Sequence, residues 1–387
     1  MGLLRDLKAY RELQRIPARQ RQIVFYAESG QDWHHLQPLV RALTGPLQRH
    51  ILYVSSDPND PGLKFDSPRL RGICIGDGLL RIVLFHTLRA DVVVLTMLDL
   101  HNFALKRSLH PVHYVYVFHA MSSTHMADFA NSYDHYDSIF CVGPHHVREI
   151  RRREELHGLP PKHLFEHGYA RLEALIQTGS TQHESPAAAP VVLVAPTWGE
   201  GSTLNVCGAE LLNVLLDAGF EVILRPHHET AKRHPGLIES LRDAHRANPR
   251  FRYVARMAET ESLLRSDTLV CDWSSMALEY ALGLGKPVLF VDVPRRTRNP
   301  DYRKLGLTPL EEAIRPLAGE LVSPSELQRA PALIRGLLAD PHRFQARIAR
   351  LRQEHVFNLG LSAANGAREI VRLAGEQARN RAEQHGP

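Results

Sequence analysis

Residues 268–291, TLVCDWSSMALEYALGLGKPVLFV, constrain the fold more tightly than any other stretch of this chain. TLVC and PVLFV are apolar and β-branched, the composition of strands buried on both faces of a parallel sheet. SSMALEYALGLG between them opens with a capping serine and stops at glycine, which predicts a helix. Together the three pieces make a βαβ unit. Asp272, Ser274 and Ser275 fall on the turn beyond the first strand's carboxyl end, at a helix amino terminus. Free amides and the helix dipole both favour an anion there, and open α/β sheets bind phosphate at such points. Glu279 follows more than one turn along the same helix, where a carboxylate accepts from ribose hydroxyls. Taken alone, the segment is equally well satisfied by a capped structural helix in an ordinary α/β domain.

The same alternation runs along the chain. QIVFYA (22–27), HILYVS (50–55), DVVVLTM (91–97), VHYVYVF (112–118) and DSIFCV (137–142) read as buried strands, with helical runs such as 32–45 and 145–158 between them. That order implies a parallel sheet with helices on both faces. TGSTQHESPAAAP (178–190) is small, polar and proline-bearing, and reads as a linker. Alternation restarts with VVLVAP (191–196), EVILRP (221–226), RFRYVA (250–255), TLVCD (268–272) and PVLFV (287–291). The expected fold is α/β: two Rossmann-like, doubly wound domains over 22–177 and 191–361. A chain of 387 residues also exceeds the usual single-domain size. From about 324 onward the sequence reads as helical, up to a final segment 362–387.

Hydrophobic content of 44% and charged content of 23% are those of a soluble globular protein. The 4 cysteines are scattered, without C-x-x-C or metal spacing, which suits a reducing cytoplasm. No apolar run approaches the ~20 residues of a membrane helix, and no signal-peptide core is read at the start. Net charge is +5, part of it concentrated in residues 1–22. Segment 1–21 carries Leu3, Leu7, Tyr10 and Leu13 at helical spacing among basic residues. It is expected either to lie on an anionic inner-leaflet surface or to pack its stripe on the domain. A second basic cluster, PRRTRNPDYRK (294–304), lacks the aromatic interleaving and motifs of nucleic-acid binders, so no nucleic-acid partner is expected.

Side chains suited to chemistry gather at strand ends: Glu28 and Ser29, His119, Thr197 to Gly199, Arg225 to His228, and Asp272 to Ser275. His125 and His145 read better as core histidines. Four motifs in order then bring a family into view. D-x-S-S with its helix, Glu279 and G-K-P-V-L-F, together with VLVAPTWGEGS (192–202) and VILRPHHE (222–229), resembles the CDP-glycerol glycerophosphotransferases that build teichoic-acid type polymers. VYVFHAMSSTH (115–125) stands where that family has a strand and W-H-G-T; only His119 carries over, since Phe118, Ala120 and Met121 replace the other three. The resemblance covers roughly residues 110–295 and implies the GT-B architecture, in which a C-terminal helix, here 362–378, is expected to brace back onto the first domain.

The resemblance implies a transferase that moves glycerol phosphate, or a related polyol phosphate, from a CDP-linked donor to a glycan or lipid-linked acceptor. It assigns His119 as the base on an acceptor domain and His227 with Arg225 to the donor phosphates. Thr197, Gly199, Asp272, Ser274, Ser275 and Glu279 would complete the nucleotide and phosphate cradle. No cofactor is implied. No metal is expected either: His227-His228-Glu229 is not H-E-x-x-H, and adjacent histidines are not expected to turn into one site. A cytoplasmic, peripherally membrane-bound enzyme fits these features. The same scaffold also serves glycosyltransferases and UDP-sugar epimerases using a nucleotide-sugar, and a non-catalytic binding protein of GT-B type remains a third reading.

Overall fold

The computed structural model describes residues 2–98, 100–103, 105–181, 189–255 and 260–384. It contains two compact units. The first comprises Met1–Ala120, Asp128–Arg171 and His355–Pro387; the second comprises Met121–Ala127 and Leu172–Glu354.

The first unit is built on seven parallel strands: β1 (Ile23–Ala27), β2 (Ile51–Ser55), β3 (Leu70–Cys74), β4 (Val92–Leu95), β5 (His113–Val117), β6 (Ser138–Cys141) and β7 (His163–Glu166). They lie in the order β3-β2-β1-β4-β5-β6-β7. The order reverses between β1 and β4, the switch point where such sheets open a crevice for ligands. Every residue of β1, β2, β4 and β6 is buried, which explains why these strands are apolar at each position. Helices α1 (Gly2–Arg15), α2 (Trp33–Thr44), α3 (Leu79–Thr87) and α4 (Pro144–His157) accompany the sheet. The C-terminal helix Ser362–Gln384 supplies Ala367, Ile370 and Leu373 to the same core as Phe25, Leu36 and Val94. The chain reaches that helix by a close approach at Gly168, whose φ of +97° and contact with the Phe357 carbonyl both exclude a side chain.

Two features of the first unit bear on the sequence reading, the first by meeting the second of the two expectations for segment 1–21. The apolar side of α1 faces inward: Ala9, Leu13 and Ile16 are buried, and Tyr10 Oη hydrogen-bonds Thr87 Oγ1 of α3 at 3.2 Å. Only the basic side, including Lys8, Arg11 and Arg15, is left exposed. Strands β3 and β7 lie at the two sheet edges, where half-exposed positions break the apolar run that marks an interior strand.

The second unit carries six parallel strands: β8 (Val191–Val194), β9 (Glu221–Leu224), β10 (Phe251–Tyr253), β11 (Thr268–Cys271), β12 (Val288–Val291) and β13 (Gly319–Val322). Their order is β10-β9-β8-β11-β12-β13. Its helices are α5 (Ala170–Thr181), which begins just before the unit boundary, α6 (Thr203–Asp217), α7 (His228–Arg233), α8 (Pro235–His245), α9 (Glu261–Arg265), α10 (Ser275–Leu284), α11 (Leu310–Ala318), α12 (Ala330–Ala339) and α13 (Pro341–His355). Val192, Leu211, Leu215, Phe220, Leu289 and Ile334 form the centre of its core. Helix α10 begins as expected: Ser274 is its N-cap, with Oγ accepting the Met276 amide at 3.2 Å, and Gly285 ends it at φ +68°.

The division of the chain departs from a single break at the 178–190 linker. Residues 182–188 of the expected linker lie outside the described residues. Segment 121–127 belongs to the second unit because its polar atoms are spent there. Ser123 donates its amide and hydroxyl to Glu311 Oε2 (2.9 and 2.8 Å), and Asn299 Nδ2 donates to the His125 carbonyl at 3.0 Å. Residues from 355 onward belong to the first unit because their helix completes its core. The tail is also not helical throughout, since Val356 to Leu361 form no helix.

Candidate active site

In the second unit the strand ends converge on Asp272, the residue after β11. Its carboxylate is buried and fully engaged: Oδ1 accepts the Thr197 amide at 2.8 Å, while Oδ2 accepts the Thr203 amide and hydroxyl at 3.0 and 2.9 Å. Burial pushes this carboxyl's pKa up, against the pull of those donors. One carboxylate therefore fastens the loop after β8 to the amino ends of both α6 and α10. The loop it fixes contains Gly199, whose φ of +112° is a left-handed conformation that favours glycine. Gly199 turns its carbonyl to the Ser202 amide (2.9 Å) and Asn205 Nδ2 (2.8 Å).

The residue between, Trp198, organises a cationic cluster. Arg296 lies over its ring at 4.1 Å and Arg233 at 5.0 Å, within cation–π range. Arg296 Nη1 also reaches Thr197 Oγ1 at 3.4 Å. His227 stands 6.1 Å from the Trp198 ring and caps α7, its Nδ1 accepting the Glu229 amide at 3.2 Å. With Nδ1 an acceptor, the neutral ring carries its proton on Nε2 and offers it as a donor. Burial first, then His228 and Arg296, lower its pKa to about 4, so the ring is neutral at physiological pH. His228 stacks on it at 4.4 Å and 29°, which corrects the expectation that neighbouring histidines diverge here. No group of three or more His, Cys, Asp or Glu is arranged to hold a metal ion among the described residues.

Other residues singled out from the sequence occupy different layers. Ser274 and Ser275 stand half-buried at the amino end of α10, and Thr197 is buried beside Asp272. Arg225 does not reach the surface: it is 2% exposed, donating to Ser262 Oγ at 2.9 Å and to Met276 Sδ at 3.2 Å beneath the start of α10. Glu279 is likewise buried in that helix. Sequence reasoning missed Trp198, Arg233 and Arg296 as partners. The available signal was the basic run 294–304 directly after a β-strand.

The first unit has its own strand-end constellation at the switch point. Asp32 accepts the Glu28 and Ser29 amides (2.9 and 3.0 Å) and Thr96 Oγ1 (2.9 Å), tying the ends of β1 and β4 to α2. His119 follows β5. Its Nδ1 pairs with Tyr116 Oη at 3.1 Å, and its carbonyl accepts Tyr169 Oη at 3.1 Å. The ring of His35, in the first turn of α2, stands edge-on at 6.2 Å. Burial, then His119, holds the His35 pKa well below the ordinary histidine value. His125 and His145 are both buried, as their core reading implied.

Comparison with known proteins places these features. The fold resembles that of the wall teichoic acid polymerase TagF, with a TM-score of 0.62 at 15% identity over 97% of this chain and 98% of that one. It also resembles a UDP-N-acetylglucosamine 2-epimerase (TM-score 0.57, 12% identity, 91% and 95% covered) and S. aureus MnaA with UDP (0.55, 12%, 89% and 94%). At such identities these likenesses establish the GT-B-like architecture alone. No curated protein matches the chain. Residues 82–297, more than half of the sequence and a span that runs from before His119 to Arg296, match a family described as CDP-Glycerol:Poly(glycerophosphate) glycerophosphotransferase; the chain belongs to that family.

Proposed function

We propose that this protein transfers glycerol phosphate, or a related polyol phosphate, from a CDP-linked donor to a hydroxyl of a glycan or lipid-linked acceptor. The observation that carries the reading is the arrangement around Asp272, which holds the Thr197–Gly199 loop against the amino end of α10. Amides, hydroxyls and the helix dipole there suit a diphosphate. Arg296 and Arg233, held on Trp198, add positive charge beside it. Arg225 contributes through its buried charge under α10, and Asp272 by positioning the loop, since both are enclosed.

In the reaction the acceptor oxygen attacks the β-phosphorus of the donor. A new O–P bond forms, the bond to the bridging oxygen breaks, and CMP leaves with that electron pair. His119 takes the acceptor proton, and His227 donates its Nε2–H to a phosphoryl oxygen as charge builds. Such a base typically contributes 10²–10⁴-fold, and preorganised donors a similar amount. Glu279 and Ser275 share one face of α10 by their spacing, which supports a role for both around the nucleotide. An approach to an anionic inner leaflet would rest on the exposed Lys8, Arg11 and Arg15, because the apolar stripe of α1 is spent in the core. No helix among the described residues is long and apolar enough to cross a membrane.

Thermal shift with CDP-glycerol, CMP, UDP and UDP-N-acetylglucosamine tests the donor class. A ligand at 100 times its Kd stabilises by about 2.7 kcal/mol, so cytidine ligands should raise Tm and uridine ligands should not. Preferential stabilisation by UDP-N-acetylglucosamine would contradict the proposal.

A further inference from the structure

The switch point of the first unit carries a second imidazole that the reaction above leaves unused. Helix α2 begins directly after Asp32, whose carboxylate ties the ends of β1 and β4 together. Trp33 and Leu36, three residues apart, are both buried, with Trp33 meeting the Tyr53 ring edge-on at 5.3 Å. Those anchors set the rotation of the first turn. His35 is thereby carried to the His119 side, its ring stacked on Tyr169 at 6.0 Å and 21°. Tyr169 is buried and donates Oη to the His119 carbonyl at 3.1 Å, so one fixed side chain touches the seats of both imidazoles.

Neither ring nitrogen of His35 has a hydrogen-bond partner among the described residues. Nδ1 is enclosed and Nε2 is not, so the ring is left with one nitrogen that a ligand can reach. His119 is in the same position, because Tyr116 Oη occupies its Nδ1 at 3.1 Å and leaves Nε2. The two ring centres stand 6.2 Å apart, too far for the imidazoles to hydrogen-bond each other directly. One oxygen bonded to both rings gives that spacing. Hydrogen bonds of ~2.8 Å, with ~1.2 Å from each nitrogen to its ring centre, reach it at an oxygen angle of ~100°, near tetrahedral.

We propose that His35 is a further acceptor-binding residue, holding through Nε2 the same hydroxyl oxygen whose proton His119 removes. The proposal rests on the base role given to His119 and names the second group that orients its substrate. The attacking oxygen has its carbon, its proton toward His119, one lone pair toward phosphorus and one lone pair left for His35. Because the single hydroxyl proton goes to His119, the hydrogen in the His35 contact comes from the ring. A neutral ring supplies it without setting a second positive charge beside His119 as that ring becomes an imidazolium. Burial, then His119, keeps His35 neutral at physiological pH. Two points of attachment fix the oxygen before it attacks, which is how positioning lowers a barrier. If His35 only packed on Tyr169, its nitrogens would have no part and a phenyl ring would serve as well.

The test is CMP release from CDP-glycerol by the full-length protein, with a short glycerol phosphate oligomer as acceptor. His35→Phe keeps the stack on Tyr169 and removes both nitrogens, whereas His35→Gln restores a donor without the ring. His35→Phe should melt and bind CDP-glycerol as wild type does, yet lose about 10- to 100-fold in kcat/KM for the acceptor. His35→Gln should recover part of that loss. Wild-type kcat/KM in folded His35→Phe overturns the proposal, and the base role of His119 survives it if His119→Ala is impaired. A second measurement needs no variant: carbethoxylation of the wild type by diethyl pyrocarbonate, mapped by mass spectrometry. The oligomer should slow modification of His35, and CMP should not. Equal rates at His35 with and without an oligomer that the enzyme turns over also overturn the proposal. Full turnover by His119→Ala, or none of CDP-glycerol by the wild type, overturns the underlying reading and the proposal with it.

Discussion

The two units use the same fastening for different chemistry. In each, a carboxylate at the strand ends grips two loop amides and a threonine hydroxyl: Asp32 with Glu28, Ser29 and Thr96, and Asp272 with Thr197 and Thr203. What surrounds the fastening differs. Around His119 stand phenols and another imidazole, Tyr116, Tyr169 and His35. Around His227 stand guanidinium groups and an indole, Arg296, Arg233 and Trp198. His227 accepts a backbone amide at Nδ1, which leaves its Nε2–H as a donor, whereas His119 Nδ1 pairs with the hydroxyl of Tyr116. A shared scaffold device thus sets geometry in both units, and under the proposed function its neighbours decide whether a site handles protons or anions.

The largest loss that separates the two sites is expected at Arg296. Arg296→Ala should lower turnover about 10²- to 10³-fold if the guanidinium stabilises phosphoryl charge in flight. Arg296→Lys should recover only part, because stacking on Trp198 needs the planar group. Steady-state rates with CDP-glycerol check this, and a drop below threefold would remove Arg296 from the anion site.

A second effect should fall mainly on the first unit. His167 is buried there, and burial holds its pKa down to about 4 from an ordinary 6.5. With the folded pKa depressed, the unfolded chain binds more protons between those values. Stability is therefore full at neutral pH and declines as pH falls from 6.5 toward 4, by about 3 kcal/mol for this group. His227 shifts similarly but is half-exposed, so solvent screening reduces its share. Hydrogen exchange at neutral pH and near pH ~4.5 should show amides of β5 and β6 losing more protection than those of β11 and β12. Equal loss would mean that the buried histidines do not set acid stability.

The smallest effect concerns the α10 amino end. Ser274→Ala with Ser275→Ala should weaken CDP-glycerol binding about tenfold, with roughly 1 kcal/mol of stability lost with the cap. Unchanged affinity by calorimetry would remove the cradle from this helix.

How much of this was legible follows from where each residue sits. Interior strands such as VVVL and VLFV announce themselves because both faces are buried, whereas LRGIC, HLFE and GELV at sheet edges carry exposed positions and leave no apolar run. The cap at Ser274 and the stop at Gly285 are local backbone chemistry, and so were readable. Asp272 was found, but its partners come from 69 and 75 residues away, so its scaffold role was not. Arg225 looked like a phosphate ligand from its neighbours in sequence and is enclosed by α9 and α10 instead. Arg296 showed only as one basic residue in a run, because its stacking partner lies far along the chain.

The most direct measurement is acceptor-dependent CMP release from CDP-glycerol, paired with donor affinity, for wild type and His119→Ala. Wild type should release CMP only when a hydroxyl acceptor is present. His119→Ala should bind CDP-glycerol as tightly, unfold at the same temperature, and release CMP at least ~10²-fold more slowly. Wild-type turnover in His119→Ala, or loss of donor binding with it, would contradict the division of labour between the two strand-end sites.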